Sequence, residues 1–174
     1  MKIEPILDAE IIPGVQAGGI ELGISFEYFK RNTKHIYKVK KNECNVLSTN
    51  GLWFIFHRNE MSVDGTYINE IYCYWDNNIV LEFIGDVPLL TDIHVMNEYS
   101  GCLLKTLKVG DRLDFLKYKL GFDFYYGYGD AHYLKPNPLE SEDIIEGVYI
   151  NTDYRLPYSN EYKDHIVKSI TVYL

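Results

Sequence analysis

The sequence predicts an α+β protein in which antiparallel sheets are covered on one face by short helices. Three observations lead to this class. Segments of alternating apolar and polar residues recur along the 174-residue chain and indicate strands. Aromatic residues make up 15% of the chain and include 16 tyrosines, which favour strands and contact surfaces. Two segments combine a glycine, a capping residue and helical apolar spacing, which is typical of short helices.

The two predicted helices each follow a glycine that ends a short strand. Ser25 is placed to N-cap the first helix and Asp111 the second. The apolar residues behind them recur at helical spacing and should face the sheets; they are Phe26, Phe29, Leu113 and Leu116. Gly121 is typical of the residue that follows a helix and should end the second one.

The remaining apolar segments are predicted as strands. They cover residues 36–39, 46–48, 52–57, 67–75, 79–84, 93–98, 122–126, 148–151 and 166–174. Asn77 and Asn78 indicate a tight hairpin between two of them. Residues 59–65 and 136–142 are predicted as loops.

An internal repeat organises the chain into two halves. Gly23 aligns with Gly110, and the residues after each glycine follow one pattern. Two further alignments come in the same order, residues 51–56 with 147–150 and residues 68–74 with 167–173. These alignments predict a duplication with halves 1–87 and 88–174, the second with longer loops. We expect the halves to form one compact unit.

The repeated segments resemble a known family. The glycine turn at 19–29, the run at 51–56 and the strand at 167–173 are similar to the β-lactamase-inhibitor-protein-like repeat. That resemblance implies tandem units, each with a short helical element on a small antiparallel sheet. The chain differs from the inhibitor in lacking a secretory signal and paired cysteines. In size and acidity it also resembles bacterial immunity proteins, including those of contact-dependent growth inhibition.

The composition of the chain limits the chemical class of its binding partner and indicates its cellular compartment. The chain has 17 Lys and Arg against 25 Asp and Glu, a net charge of −8, so it lacks the basic balance of a nucleic-acid binder. No apolar run reaches the length of a membrane-spanning helix, and the first residues do not resemble a signal peptide, so we expect a cytoplasmic protein. Cys44, Cys73 and Cys102 are expected to be reduced thiols.

Motifs of catalysis and metal binding are missing from the sequence. The histidines at 35, 57, 94, 132 and 165 form no metal-ligand spacing with each other or with a cysteine. Phosphate-binding loops, nucleophile elbows and dinucleotide fingerprints are also missing. Asp130 precedes His132 by two residues and could orient it as a general base, but no nucleophile lies nearby in the sequence. We therefore expect no enzyme activity, no cofactor and no metal.

The predicted contact surface lies in the most acidic part of the chain. Residues 120–164 contain nine acids against three bases, a net charge of −6, and tyrosines alternate there with glycines. Tyrosine is enriched in binding hot spots, and carboxylates favour a basic partner. The predicted partner-binding residues are Asp123, Tyr125, Tyr126, Tyr128, Asp130, Tyr133, Glu140, Glu142 and Asp143. The alternative location is the basic segment 30–41, which would indicate an acidic partner.

These observations predict an immunity protein that neutralises a cognate toxin domain, a basic nuclease, by stoichiometric occlusion. Direct nucleic-acid binding and membrane binding are not expected, and the oligomeric state is left open. The alternative is an enzyme or a small-ligand-binding protein whose site forms only in the folded chain.

Overall fold

The part of the chain that the structure describes contains eleven strands and two α-helices. This computed structural model describes residues 3–34, 36–38, 51–61, 67–136 and 144–174. The strands are β1 (Gln16–Ala17), β2 (Ile20–Glu21), β3 (Ile36–Lys38), β4 (Trp53–Met61), β5 (Tyr67–Trp75), β6 (Ile79–Ile84), β7 (Leu89–Met96), β8 (Asp123–Tyr126), β9 (His132–Lys135), β10 (Val148–Thr152) and β11 (Val167–Tyr173). The helices are α1 (Phe26–Asn32) and α2 (Asp114–Leu120), and a 3₁₀ turn covers Tyr128–Asp130.

One continuous sheet contains nine of the described strands. Their order is β3-β4-β5-β6-β7-β11-β10-β9-β8, and each neighbouring pair is antiparallel except β3 with β4. The α+β class with mostly antiparallel strands is confirmed. The expectation of separate sheets is wrong, because β7 and β11 pair over five positions and join both sides of the sheet. Strands β1 and β2 form a separate two-stranded hairpin.

The first helix forms as predicted. The Ser25 Oγ accepts a hydrogen bond from the Tyr28 backbone N–H at 3.2 Å and caps the helix. Glu27 lies in the first turn and pairs with Lys30 in the last, an order of charges that suits the helix dipole.

The second helix begins at Asp114, not directly after Asp111. Asp111 does not cap it, because its carboxylate accepts the Lys108 N–H at 2.9 Å and its backbone carbonyl accepts the Val167 N–H. Gly121 ends the helix as predicted. It has a left-handed conformation with φ 74°, which is accessible to glycine at little cost.

The hydrophobic core lies on one face of the sheet, here called the inner face. Both helices and the segments before them cover this face. The four predicted helix residues Phe26, Phe29, Leu113 and Leu116 are all buried in that core. The Phe29 ring packs 5.1 Å from Trp53 and 5.4 Å from Phe83, which anchors α1 on the sheet.

Several strand boundaries differ from those predicted. β4 continues to Met61, which pairs with Tyr67, so residues 59–61 belong to a strand and not to a loop. β7 begins at Leu89 because Leu90 is buried and bonds to the Gly23–Ile24 backbone. β9 was not predicted. The predicted strand at 46–48 and the loop residues 62–65 and 137–142 lie outside the described residues.

The predicted hairpin at Asn77 and Asn78 is present. Asp76 and Asn77 adopt positive φ angles, and the Asn78 N–H donates to the Trp75 carbonyl at 2.8 Å. In the described part of the chain, neither helix is long enough to cross a membrane.

Candidate functional site: the open face of the sheet

The face of the sheet opposite the core carries a second set of side chains, here called the open face. Phe54 and Val80 are buried but lie outside the core cluster, because they point to this opposite side. Strand alternation assigns the rest of the set. Its described members on β4 to β7 are Phe54, Phe56, Arg58, Ile68, Glu70, Tyr72, Tyr74, Val80, Glu82, Ile84, Leu89, Asp92, His94 and Met96; those on β8 to β11 are Asp123, Tyr125, Tyr133, Lys135, Tyr149, Asn151, Ser169, Thr171 and Tyr173.

A row of neighbouring residues, here called the long row, crosses eight strands of the open face. In sheet order it contains Phe54, Tyr74, Val80, His94, Thr171, Tyr149, Tyr133 and Tyr125. Its aromatic rings lie close together, with centroids 6.1 Å apart for Phe54 and Tyr74 and 5.9 Å apart for Tyr133 and Tyr149. The row is therefore aromatic at both ends and smaller and more polar in its middle.

A shorter row beside it places two carboxylates in the middle of the sheet. Glu82 lies directly opposite Asp92, Tyr72 lies opposite Glu82, and Tyr173 lies opposite Asp92. The Tyr72 hydroxyl donates to Glu82 at 3.0 Å, and His94 Nε2 lies 3.6 Å from the other Glu82 oxygen. We call Glu82 and Asp92 the acid pair. Tyrosine rings border it on both sides.

The two carboxylates of the acid pair differ in their electrostatics. Burial opposes ionisation of Glu82, but its contacts with His94 and Tyr72 outweigh burial and lower its pKa. Burial raises the pKa of Asp92, and the charge of Glu82 adds to that rise, which a hydrogen bond from Thr91 and the charge of His94 only partly offset. Burial, followed by the charge of Glu82, also raises the pKa of Tyr72. Asp92 is thus the less well compensated member of the pair.

The predicted contact residues are divided between the two faces. Tyr125 and Tyr133 lie directly opposite each other on the open face, and Asp123 shares that side of β8. Tyr126 points the other way, with its ring 5.1 Å from His132. The structure therefore places these residues on two sides of β8, because neighbouring residues of a strand alternate between faces.

The other predicted contact residues lie elsewhere or outside the described chain. Asp130 lies in the 3₁₀ turn. Its Oδ1 accepts a hydrogen bond from the Tyr126 hydroxyl at 3.0 Å, and its Oδ2 lies 4.0 Å from the Arg155 Nε. The backbone of Tyr128 belongs to the same turn, but its side chain is not described. Glu140, Glu142 and Asp143 lie outside the described residues.

Sequence reasoning missed most of the open face. Strand alternation separates Tyr72 and Tyr74 from Cys73 and Trp75, and Cys73 is buried in the core. Sequence reasoning did not connect Tyr149 and Tyr173 with these residues. The available signal was the presence of tyrosine in each of these strands, but only the sheet order brings those tyrosines together.

The proposed pairing of Asp130 with His132 as a general base is wrong. His132 is fully buried on the inner face, with its ring 5.0 Å from that of His165, which is also fully buried. Burial, with His165 adding to the effect, lowers the pKa of His132 to about 4. The His165 Nδ1 lies 2.9 Å from the Thr152 hydroxyl. Both histidines are therefore neutral core residues at neutral pH.

Among the described side chains of the open face, one group is arranged like a catalytic relay. His94 Nδ1 lies 2.8 Å from the Thr171 hydroxyl, and its Nε2 faces Glu82. This is the order of a carboxylate, an imidazole and a hydroxyl nucleophile, but the Thr171 side chain is fully buried. Among the described residues, no three His, Cys, Asp or Glu side chains lie close enough together to hold a metal ion.

The chain matches no family model, no curated protein and no solved structure.

Proposed function

We propose that the chain is a binding protein that occludes a protein partner stoichiometrically through the open face. The observation that carries this proposal is the long row, in which tyrosine and phenylalanine rings flank a polar centre across eight strands. Tyrosine supplies large contact area at low conformational cost and keeps a polar tip for hydrogen bonding. Such a face suits protein recognition better than the binding of a small molecule, which favours a concave pocket.

The size of the open face supports this proposal. Eight strands spaced ~4.8 Å apart make a surface about 34 Å wide. A patch of that width and about 20 Å of strand length has an area of about 700 Å². A standard protein–protein interface buries roughly 800 Å² on each partner. The open face is therefore large enough to account for most of a specific interface.

The proposed partner is a basic toxin domain, which makes the chain an immunity protein of the bacterial cytoplasm. The net charge of −8 favours a basic partner, and the described side chains of the open face include four carboxylates, Glu70, Glu82, Asp92 and Asp123, against Arg58 and Lys135. A nuclease that binds nucleic acid carries the complementary positive surface. The resemblance to immunity proteins supports the same assignment.

We also propose that the two sides of the sheet are similar halves. The backbone before each helix bonds to the sheet in one pattern. Before α1, the Gly23 N–H donates to the Leu90 carbonyl, the Leu90 N–H to that of Ile24, and the Phe26 N–H to that of Pro88. Before α2, the Gly110 N–H donates to the Val167 carbonyl, the Val167 N–H to that of Asp111, and the Leu113 N–H to that of His165. These six bonds measure 2.8–2.9 Å. Gly23 and Gly110 thereby keep the alignment inferred from the sequence.

The strands extend this proposed equivalence. The equivalence aligns β4–β7 with β8–β11. The register shift between Glu82 and Phe83 of β6 then lies at the same position as the register shift between Asn151 and Thr152 of β10. His94 then corresponds to Thr171, and these two residues lie opposite each other at the centre of the sheet. The sequence alignments paired residues 51–56 with 147–150 and residues 68–74 with 167–173, which would match β4 with β10 and β5 with β11. The structural alignment replaces both, because β5 and β11 occupy different places in the sheet order. It moves the boundary between halves from residue 88 to the end of β7.

The experiment that tests the proposed function uses the C-terminal domain encoded by the gene directly upstream. Calorimetry should give one site per domain, and inhibition of its nuclease activity should be complete at a 1:1 ratio. Tyr149→Ala should weaken binding by about 30-fold, since a central tyrosine contributes about 2 kcal/mol. The control is Tyr118→Ala on α2, because this side chain is 73% exposed and lies away from the open face.

Two results would overturn the proposal. One is that the upstream domain does not bind the wild-type chain. The other is that Tyr149→Ala and Tyr118→Ala weaken binding equally, which would show that the open face is not the contact surface.

A hydrolytic enzyme is the second candidate, and the Glu82–His94–Thr171 relay is the observation that favours it. The buried Thr171 hydroxyl counts against it, because a substrate carbonyl has no approach. Hydrolysis of p-nitrophenyl acetate by the wild type and by Thr171→Val tests this candidate. Multiple turnovers that disappear in the variant would favour the enzyme over the binding protein.

A further inference from the structure

We infer that the acid pair receives an arginine or lysine side chain of the protein partner, inserted between Tyr72 and Tyr173. This inference rests on the proposed binding function and specifies the partner's chemistry. It follows from four features of the shorter row. They are the like charges of the two carboxylates, the weaker compensation of Asp92, the tyrosine rings on both sides of the pair, and the position of the pair in the middle of the sheet.

The acid pair is unfavourable in the chain by itself. Glu82 and Asp92 lie directly opposite each other on neighbouring strands, and like charges in that arrangement destabilise a sheet. Both side chains are partly buried, which weakens solvent screening of the repulsion. An arrangement that costs stability at a central position of an exposed surface is typical of a functional site.

Charge compensation within the described chain is stronger for Glu82 than for Asp92, because the net pKa shift is downward for Glu82 and upward for Asp92. Glu82 contacts His94 and Tyr72, whereas no described Lys or Arg forms a salt bridge with Asp92. Arg58 lies 3.8 Å from Glu70, at the other end of β5 from the hairpin turn. The position of Asp92 is therefore open to a cation supplied by a partner.

The borders of the pair suit a side-chain cation. Tyr72 lies beside Glu82 and Tyr173 beside Asp92, so an entering ammonium or guanidinium group would meet ring surface as well as carboxylate. The Tyr149 ring, 5.8 Å from that of Tyr173, continues this border. Arginine is the better fit, because its planar fork can bond two carboxylates and stack on a ring.

The position of the pair explains how one cation could select the partner. β6 and β7 lie in the middle of the sheet, with the aromatic ends of the long row on both sides. Energetically important contacts concentrate at the centre of an interface, where surrounding contacts exclude water. A partner without a basic side chain at this point would cover the partly buried Asp92 without supplying a salt bridge, which is unfavourable.

The closing experiment uses fluorescein-labelled hexa-arginine as the probe and a citrulline hexamer as the uncharged comparison. Anisotropy titrations at two salt concentrations compare the wild type with Asp92→Asn and with Glu82→Gln. The matched control is Asp86→Asn, which removes the same charge from an exposed turn. We expect each acid-pair variant to weaken hexa-arginine binding about tenfold and the control less than twofold.

A stability measurement separates this inference from a merely structural role. Asp92→Asn should unfold at a higher temperature than the wild type, because it removes the repulsion from Glu82. Higher stability with weaker binding is the expected result. Equal weakening by Asp92→Asn and Asp86→Asn would overturn the inference, since net charge alone would then explain binding.

The upstream-encoded domain distinguishes the two proposals. If Tyr149→Ala weakens its binding but Asp92→Asn and Glu82→Gln do not, the acid-pair inference fails and the proposed function stands. If the wild-type chain does not bind that domain, the proposed function fails, whatever the hexa-arginine result.

Discussion

Acidification should destabilise the protein through the buried histidines His132 and His165. Both side chains are fully buried, with ring centroids 5.0 Å apart, so two positive charges there would be desolvated and would repel each other. Burial, reinforced by His165, lowers the pKa of His132 from 6.5 to about 4, and burial also lowers the pKa of His165.

The direction and size of the effect follow from proton linkage. In the unfolded chain a histidine protonates near pH 6.5. Below that pH the unfolded state binds more protons than the folded state, so the free energy of unfolding decreases. For His132 this loss begins as pH falls through 6.5 and is complete near pH 4, where it reaches about 3 kcal/mol. His165 acts in the same direction.

Urea unfolding between pH 7.5 and 4, followed by the fluorescence of Trp53 and Trp75, measures this loss. His132→Phe keeps an aromatic ring and removes the titration, so its free energy of unfolding should decrease by about 3 kcal/mol less than that of the wild type. His57→Phe is the control, because the His57 side chain is exposed. Each variant differs from the wild type in one histidine only, so the other titrating groups cancel in each comparison with the wild type.

Parallel curves for the wild type and His132→Phe over this pH range would refute the reasoning. They would mean that His132 is protonated in the folded protein or accessible to water. His165→Phe provides a second variant in the same contact, and it should also reduce the loss of stability on acidification.

Three further predictions concern the inner face and its connections. Phe29→Ala should lower the free energy of unfolding by about 3–5 kcal/mol, because the ring is fully buried between α1 and the sheet; an unchanged urea midpoint would contradict that packing. Ser25→Ala should cost about 1 kcal/mol by removing the helix cap, and Ser25→Asp should restore it. Gly101→Ala should shift the melting temperature down strongly, since a Cβ there would lie 1.8 Å from the Ala9 carbonyl oxygen; Gly129→Ala, with nothing within 4 Å, should have a smaller effect that comes from its positive φ.

Local features of the fold could be predicted from the sequence, whereas long-range pairing could not. The Ser25 cap, the Gly121 helix end and the Asn77 turn each depend on residues within a few positions, and all are present. The pairing of β7 with β11 joins residues about 75 positions apart, and nothing in either strand specifies the other as its neighbour.

The candidate site was predictable only in part for the same reason. Tyr125 and Tyr133 were assigned to a contact surface, and their strands pair locally. Their neighbours Tyr149 and Tyr173 belong to strands that the sequence alone did not place beside them. Tyr126 was grouped with them because composition identifies an acidic, tyrosine-rich segment, whereas strand alternation decides which of its side chains share a face.

The open face and the stability of the chain depend on the same strand pair. Ile93 and Val95 of β7, together with Ile170 and Val172 of β11, are fully buried on the inner face, while His94 and Thr171 meet on the open face. Separating the two sides would expose those four apolar side chains and divide the long row at its centre. A partner that contacts both sides would therefore bind only the intact sheet and would stabilise it by an amount that rises with the logarithm of the partner's concentration. We expect the melting temperature to rise with added upstream-encoded domain and to rise much less for Tyr149→Ala. An equal rise for both would contradict a contact that extends across the strand pair.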